Sequence, residues 1–166
     1  MTNAESKYIE LYTEMAKLCA QQGWGDPFSY ARSKEILTAI TLGHTVSETL
    51  AGADGYNQNG EPVEYKSTTG RKPKGAYTGI SVHETWYDQA KYLQEEKILK
   101  YPEHYYSRYE NGKIAEIWMM TGEKVYEVLM PKLHRKWMNT DLKRKDPRLS
   151  ADVTWSEIQR HGRQVF

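Results

Sequence analysis

The chain has few residues that cross-link a protein, and it has no long apolar segment. Cys19 is its one cysteine, which excludes an intramolecular disulfide and a zinc site made of cysteines. No apolar run reaches the roughly 20 residues that cross a bilayer. No basic start followed by an apolar stretch opens the chain, as an export signal would require. We therefore expect a cytoplasmic protein that has no membrane partner.

The chain also lacks a strong net charge. Its 23 Lys and Arg residues are balanced by 22 Asp and Glu residues, so the formal net charge is +1, and a nucleic-acid surface would have to come from local clusters. We interpret Lys143, Arg144 and Arg148 as contacts to DNA phosphates; a basic face that meets only solvent is the alternative. The basic clusters are Arg71-Lys72-Pro73-Lys74 and the set Lys132, Arg135, Lys136, Lys143, Arg144, Lys145 and Arg148.

The length of 166 residues suits one domain with a single core. Apolar residues recur at helical spacing over residues 4–22, where Gly23 ends the pattern, and a second helix is indicated over residues 33–43. Cys19 belongs to the first apolar pattern, so we expect its thiol to be buried. Residues 1–43 are thus predicted to be a helical region, and residues 44–166 to form the rest of the domain.

The rest of the chain alternates between predicted strands, helices and loops. Asn59-Gly60 and Asn111-Gly112 are turn pairs typical of hairpins. Helices around one mixed sheet indicate an α/β or α+β fold. In chain order the predictions are a loop at residues 67–79, a helix at 84–97, two strands within 105–120, helix or mixed structure at 125–137 with Pro131 inside it, and a short strand that ends at Val165-Phe166.

The segment from Asp54 to Lys66 carries the most informative chemistry. Side chains two apart on a strand share a face, so Glu64 and Lys66 should project together while Tyr65 points the other way. The turn at Asn59-Gly60 can fold Asp54 back beside Glu64. Two converging carboxylates form an oxygen-rich site for a hard cation such as Mg²⁺. A solvated hairpin is the alternative, because acids and a lysine at this spacing are common in charged proteins.

The order of helix, hairpin, Glu-x-Lys strand and basic loop resembles the core of the PD-(D/E)XK nucleases. Within that superfamily, the sequence is similar to the PvuII-like type II restriction endonucleases over most of its length. No single matching segment is specific, but the segments occur in the same order and at similar spacing. They are Gly25-Asp26-Pro27-Phe28 with Lys34, Ala53-Asp54, Glu64-Tyr65-Lys66-Ser67, His83 with Ala90-Lys91-Tyr92, Ala115-Glu116-Ile117, Arg135-Lys136-Trp137, and residues 161–166.

This resemblance implies the residues that would cut a phosphodiester bond. Asp54 and Glu64 would bind Mg²⁺ together with the backbone carbonyl of Tyr65. Lys66 would orient or deprotonate the attacking water and stabilise charge on the phosphate. Tyr92 would lie near the scissile phosphate, and an aromatic side chain packed in the core is the alternative.

The resemblance also implies residues that read DNA bases. His83 would donate a hydrogen bond to guanine in the major groove; a capping or merely exposed histidine is the alternative. Ser81 is a further candidate for DNA contact. Where the related enzymes have successive histidines, this chain has Ser81-Val82-His83, so we expect that one direct base contact is lost. Lys145-Asp146 replaces a pair of asparagines that read adenine, and Lys suits guanine whereas Asp can accept from cytosine N4. We therefore expect a target sequence different from that of the related enzymes.

Residues 1–43 would carry the subunit interface. Tyr8, Tyr12 and Met15 are the expected dimer surface, although their apolar face could instead belong to the monomer core. Tyr30 and Arg32 fall where the related enzymes contact the central base pairs and the partner subunit.

The implied protein is a type II restriction endonuclease, a homodimer that hydrolyses a palindromic double-stranded DNA target with Mg²⁺ as cofactor. A cognate DNA methyltransferase would protect host sites in the same cell without forming a complex with it. Two other functions stay open at this point. One is a structure-selective or repair nuclease of the same fold, and the other is a DNA-binding module without catalysis.

Overall fold

A computed structural model describes residues 1–49 and 52–166, and within them the chain forms a mixed α+β fold. Helices flank a mostly antiparallel sheet. The helices are α1 (Asn3–Gln22), α2 (Arg32–Leu42), α3 (Trp86–Tyr92), which continues as a π-helical segment (Leu93–Ile98), α4 (Gly122–Met138) and α5 (Trp155–His161). The strands are β1 (Thr45–Val46), β2 (Gly55–Tyr56), β3 (Pro62–Thr68), β4 (Gly75–Ser81), β5 (Glu103–Glu110), β6 (Lys113–Thr121), β7 (Arg148–Val153) and β8 (Arg163–Gln164).

The described strands form one sheet of six strands and one of two. The larger sheet has the order β1-β2-β3-β5-β6-β8, and β4 pairs with β7 in the smaller one. Only β3 and β5 pair in parallel among these described strands. A parallel pair needs a crossover connection, and here β4, α3 and the π-helical segment provide it.

The two faces of the larger sheet pack against different elements. Tyr65 and Tyr105 lie on the face that packs against α2, in a cluster that includes Ile36 and Ala39. Tyr106 lies on the opposite face, in a second cluster with residues of α4, β4, β7 and α5. Because neighbouring residues of a strand alternate between faces, residues 64 and 66 project towards the second cluster.

Helix α1 contributes little to the monomer core. It begins with a capping box formed by Thr2 and Glu5, and Cys19 is its one buried residue, as predicted. Tyr8 remains 70% exposed and Met15 45% exposed. The apolar face of α1 is therefore largely open to solvent. No helix in the described ranges has both the length and the apolar character to span a membrane.

Several predicted elements are confirmed. Helices α1 and α2 end at Gly23 and Gly43. Asn111-Gly112 joins β5 to β6, and both residues have positive φ angles of 50° and 77°, as the hairpin turn requires. The strand predicted at the C-terminus is β8, which pairs with β6.

The prediction of a loop over residues 67–79 is wrong at both ends. Strand β3 continues to Thr68, and β4 begins at Gly75. The partner of β4 is β7, with Gly75 opposite Val153, so hydrogen bonds to a distant segment of the chain stabilise this strand. Local composition gave no sign of that pairing, and neither β7 nor α5 was predicted.

The segment 125–137, predicted as helix or mixed structure, lies within the single helix α4. Pro131 lies inside it, where a proline removes one backbone hydrogen bond. Burial of Val125, Leu129 and Leu133 against the core offsets this cost. The helical spacing of these apolar side chains therefore outweighs the proline.

Candidate active site

Asp54 directly precedes β2. The turn between β2 and β3 folds the chain back and brings Asp54 beside β3. Asn57 Oδ1 accepts hydrogen bonds from the backbone N–H groups of Asn59 and Glu61, each at 3.0 Å, which closes the turn. Asp54 N donates to Val63 O at 3.2 Å. Asp54 Oδ2 accepts from the Tyr65 N–H at 2.7 Å. The carboxyl group of Asp54 therefore lies at the centre of β3, eleven residues further along the chain.

Glu64 and Lys66 lie on one face of β3. Lys66 Nζ donates to Glu64 Oε1 in an ion pair, and both side chains are partly buried. Tyr65 is buried on the other face. The alternation of the strand thus separates the two charged side chains from the aromatic one, as the sequence predicts.

The backbone carbonyl of Tyr65 faces the same side as Asp54. In an extended strand the N–H and C=O of one residue point the same way, and the Tyr65 N–H points to Asp54. Two carboxyl groups and one carbonyl therefore surround the same part of β3.

A cleft of about 230 Å³ opens at these side chains. Strand β4 forms one wall, and the π-helical segment forms another. A π-helical segment is rare and occurs frequently at functional sites. The cleft is lined by Gly52, Asp54, Glu64, Lys66, Ala76, Tyr77, Thr78, Ile80, Lys97, Ile98 and Tyr101.

The acids and the lysine of the cleft influence one another's pKa values. Burial, and then the nearby Glu64 carboxylate, raise the pKa of Asp54 to about 8. Burial lowers the pKa of Lys66, but the carboxylates of Glu64 and Asp54 more than compensate, so the pKa of Lys66 lies above its ordinary value. At neutral pH, Lys66 is therefore a cation, and a second cation would favour the ionised form of Asp54.

The oxygen ligands suit Mg²⁺, which binds through one or two carboxylates and keeps several waters. Within the described ranges, no three His, Cys, Asp or Glu side chains gather closely enough to hold a metal by themselves. Asp54, Glu64 and the Tyr65 carbonyl provide a partial oxygen shell. Water and a phosphate oxygen of the substrate would have to complete it.

A buried network lies behind Lys66. Tyr77 OH lies 2.8 Å from His104 Nδ1 and 2.9 Å from Tyr106 OH, and His104 Nε2 donates to the carbonyl of Ile98 at 3.1 Å. His104 Nδ1 therefore accepts from Tyr77, and Tyr77 accepts from Tyr106. Lys66 Nζ lies 5.1 Å from the centre of the Tyr77 ring, which suits a cation–π contact. Sequence reasoning missed this network.

We expect Tyr77→Phe to destabilise the protein by about 1–3 kcal/mol, because it leaves His104 Nδ1 buried without a donor. Tyr106→Phe is the matched control. It also removes one hydroxyl, but Tyr77 keeps its bond to His104, so the expected loss is smaller. Urea unfolding of both variants measures the difference. Equal stability of Tyr77→Phe and the wild type would contradict the assigned hydrogen bonds.

His83 and Tyr92 lie together, with ring centres 4.7 Å apart. His83 N donates to Gln89 Oε1 at 2.9 Å, and Gln89 Nε2 donates to Ser81 O at 3.2 Å. The buried Gln89 amide thus fixes the segment that carries Ser81 and His83, the two DNA contacts predicted there. Sequence reasoning missed this role of Gln89. Tyr92 also packs against the core cluster beside α4. Tyr92 is not among the residues that line the cleft, so its packing agrees with the core interpretation, and a place near the scissile phosphate stays a prediction.

Ser81 and Asp146, predicted as separate DNA contacts, meet at Arg148. Arg148 Nη1 donates to Ser81 Oγ at 2.7 Å, and Nη2 lies 2.8 Å from Asp146 Oδ1. Lys143, Arg144 and Lys145 are exposed on the preceding segment.

Tyr30 and Arg32 differ from each other in exposure. Tyr30 is fully exposed and has a positive φ of 48°, an uncommon conformation for a residue other than glycine. Arg32 is 1% exposed. Its guanidinium donates to the carbonyls of Trp24 and Ser47 and to Glu35. The prediction that Arg32 contacts DNA is therefore not supported, because its donors are used inside the monomer.

Comparison with known proteins adds no assignment. Neither the models of known protein families nor the curated proteins contain a match to this sequence. Function must therefore be inferred from the geometry of the site.

Proposed function

We propose that this protein is a Mg²⁺-dependent type II restriction endonuclease with a PvuII-like PD-(D/E)XK core. One observation carries the proposal. One cleft beside β3 is lined by Asp54, Glu64 and Lys66. These three residues come from two segments of the chain. A solvated hairpin would not require a wall from β4 or a π-helical segment above the acids.

The three side chains have distinct roles in this proposal. Bound Mg²⁺ would activate the attacking water and offset the negative charge that develops on the phosphate. Asp54 and Glu64 hold the cation, with the Tyr65 carbonyl as a further oxygen. Because carboxylates hold Lys66 in its protonated form, this side chain orients the water and stabilises charge. Of the two roles predicted for it, deprotonation of the water is the less favoured.

Exposed basic residues near the cleft would bind the DNA backbone. Lys72 and Lys74 are exposed in the connection between β3 and β4, which are the two strands that line the cleft. Arg71, in the same connection, lines the groove beside α1 and α2. Lys143 and Arg144 are exposed in the segment that precedes β7, the partner of β4. Phosphate contacts of this kind position the protein on the duplex and make binding weaken as salt rises.

A homodimer would cut both strands of a palindromic target, because each subunit reads one half-site. The exposed apolar face of α1 is the proposed interface. It continues into a groove of about 690 Å³ between α1, α2 and the turn that joins β5 to β6. Contiguous exposed apolar side chains of this kind mark protein interaction surfaces. In this proposal the enzyme works in the cytoplasm beside a protective DNA methyltransferase.

Incubation with several unmethylated plasmids tests the proposal. We expect discrete fragments in Mg²⁺ and none in EDTA, because a sequence-specific enzyme cuts at fixed positions. Lys66→Met keeps the length of the side chain but removes the ammonium, so cutting should fall by at least about 100-fold. Lys113→Met is the matched control on an exposed residue of β6 and should cut normally.

Other outcomes would identify a different function. A smear without fixed ends, or cutting only at branched or damaged DNA, would indicate a structure-selective or repair nuclease. A shift of DNA in a gel without any cutting would indicate a binding module. Normal cutting by Lys66→Met would overturn the assigned site.

A further inference from the structure

Arg148 is held in a fixed orientation at the end of the small sheet. It lies opposite Ser81 in the pairing of β4 with β7. Its Nη1 donates to Ser81 Oγ at 2.7 Å and to Gly79 O at 3.2 Å, and its Nη2 lies 2.8 Å from Asp146 Oδ1. The side chain nevertheless remains 46% exposed. An exposed arginine with three partners of its own chain has lost most of its rotamer freedom before any ligand binds.

These partners leave the Nε–H group of Arg148 available, and Nη2 carries two N–H groups, of which the contact to Asp146 needs one. Arginine has five N–H donors in a planar fork, and the bonds to Ser81, Gly79 and Asp146 use donors of Nη1 and Nη2 only. Within the described ranges, Nε–H has no acceptor. Nε–H and the adjacent N–H of Nη2 point in the same direction, which is the geometry that binds two acceptors side by side.

The backbone beneath Arg148 directs it towards the strand that lines the cleft. The pairing of β4 with β7 shifts register between Tyr77 and Ile80, and Gly79 has a φ of 68°, the conformation that glycine adopts readily. Bulges of this kind reorient side chains near active sites. Thr78 and Ile80 line the cleft, whereas the Gly79 carbonyl between them accepts from Arg148.

The length of β4 between Thr78 and Ser81 limits how far a base read at Arg148 would lie from the cleft. Ser81 is three residues beyond Thr78, which corresponds to at most roughly 10 Å along a strand. Successive bases of one DNA strand are about 3.4 Å apart. A base read at Arg148 would therefore lie about three base pairs or fewer from the phosphate in the cleft.

We propose that Arg148 reads a guanine in the major groove of the DNA target, and that Ser81 and Asp146 are positioning residues that act through it. This inference rests on the proposed function. Guanine presents its N7 and O6 acceptors side by side, and a bidentate arginine is the commonest specific contact to them. The sequence had suggested that Asp146 accepts a hydrogen bond from cytosine. In this proposal Asp146 instead orients the guanidinium of Arg148.

A phosphate is the other acceptor that an arginine fork can bind. The carboxylate of Asp146 is in contact with the same guanidinium, so it would repel a phosphate at close range. The N7 and O6 atoms of guanine carry no formal charge and meet no such repulsion. The Asp146 contact therefore favours a base over the DNA backbone.

Selection of bound duplexes from a random library tests the inference without requiring cleavage. The wild type, Arg148→Lys and Asp146→Asn are compared in Ca²⁺ and in EDTA, and the melting temperature of each confirms that it is folded. We expect the wild type to enrich G·C at one position of each half-site. Arg148→Lys keeps the positive charge and can still donate to guanine, but it loses the planar fork that Ser81 and Asp146 hold in place, so that preference should fall by roughly 10-fold. Asp146→Asn should cause a smaller loss at the same position.

Replacement of that guanine by 7-deazaguanine removes the N7 acceptor and should weaken binding of the wild type more than that of Arg148→Lys. A uniform loss of affinity over all sequences in Arg148→Lys would instead identify a phosphate contact and overturn the inference. Absence of an enriched guanine for the wild type would overturn it as well. If the wild type enriches a guanine through Arg148 but cuts no DNA in Mg²⁺, the proposed catalytic function fails and the recognition inference stands.

Discussion

We expect Asp54→Asn to abolish cutting and, in the absence of divalent metal, to make the protein more stable above neutral pH. Loss of one carboxylate from the proposed cation site should lower Mg²⁺-dependent cleavage by at least about 10³-fold. The asparagine carbonyl can still accept the hydrogen bond that the Tyr65 N–H donates to Asp54. The substitution therefore removes a charge and leaves the turn intact.

The pH dependence of this effect follows from the raised pKa of Asp54. The folded protein holds a proton on this carboxyl group up to about pH 8, whereas an unfolded chain releases it near pH 4. Between these values the folded state binds more protons, so the stability of the wild type falls as pH rises from about 4 to about 8. Asn cannot ionise. Its advantage in melting temperature should be small near pH 4 and reach roughly 4–8 °C at pH 8.5 in EDTA.

At pH 8.5, addition of Mg²⁺ should make the wild type more stable than Asp54→Asn. A cation that binds the ionised carboxylates stabilises the folded wild type at pH 8.5 but should raise the melting temperature of Asp54→Asn far less. Asp152→Asn, on an exposed residue of β7, makes the same chemical change and should alter neither property. Cutting by Asp54→Asn at more than a tenth of the wild-type rate would contradict the assigned ligand. Lower stability of that variant than of the wild type at pH 8.5 in EDTA would contradict the raised pKa assigned to Asp54.

The double substitution Leu11→Lys and Met15→Lys should convert a dimer into a monomer. Both side chains are exposed on α1 and lie one turn apart on the same face. Two charges at the centre of an apolar interface would have no partners, and we expect the dissociation constant to rise by at least about 100-fold. The monomer should nick one strand slowly and lose concerted cutting of both. Analytical ultracentrifugation and the ratio of nicked to linear plasmid measure the two effects.

Ser6→Lys is the matched control for the dimer. Residue 6 is nine positions from Met15, which is about 180° around the helix axis and therefore on the opposite side, and it is exposed. It adds the same charge without entering the apolar face, so it should leave a dimer that cuts both strands. A wild type that sediments as a monomer at micromolar concentration would rule out α1 as the interface. A double variant that remains dimeric would lead to the same conclusion.

Local patterns predicted the parts of the fold that local physics controls. Helices α1 and α2 follow from apolar spacing and a closing glycine, and the β5–β6 hairpin follows from Asn111-Gly112. Strand β4 was missed because its hydrogen bonds go to β7, and the energy of that pairing lies in contacts between residues some 70 positions apart. The buried Arg32 was also unforeseen, because a charged residue at a helix start normally contacts solvent.

The sequence by itself determined the chemistry available to this protein, since the types and spacing of Asp54, Glu64 and Lys66 place an acid on a turn and an acid and a lysine on one strand face. Only the tertiary structure decided where these groups meet and what surrounds them. It set the cleft between β3 and β4, the burial that raises the pKa of Asp54, and the contacts that join Ser81 and Asp146 to Arg148. The physical reason is that alternation along a strand is local, whereas burial and charge depend on segments brought together by folding.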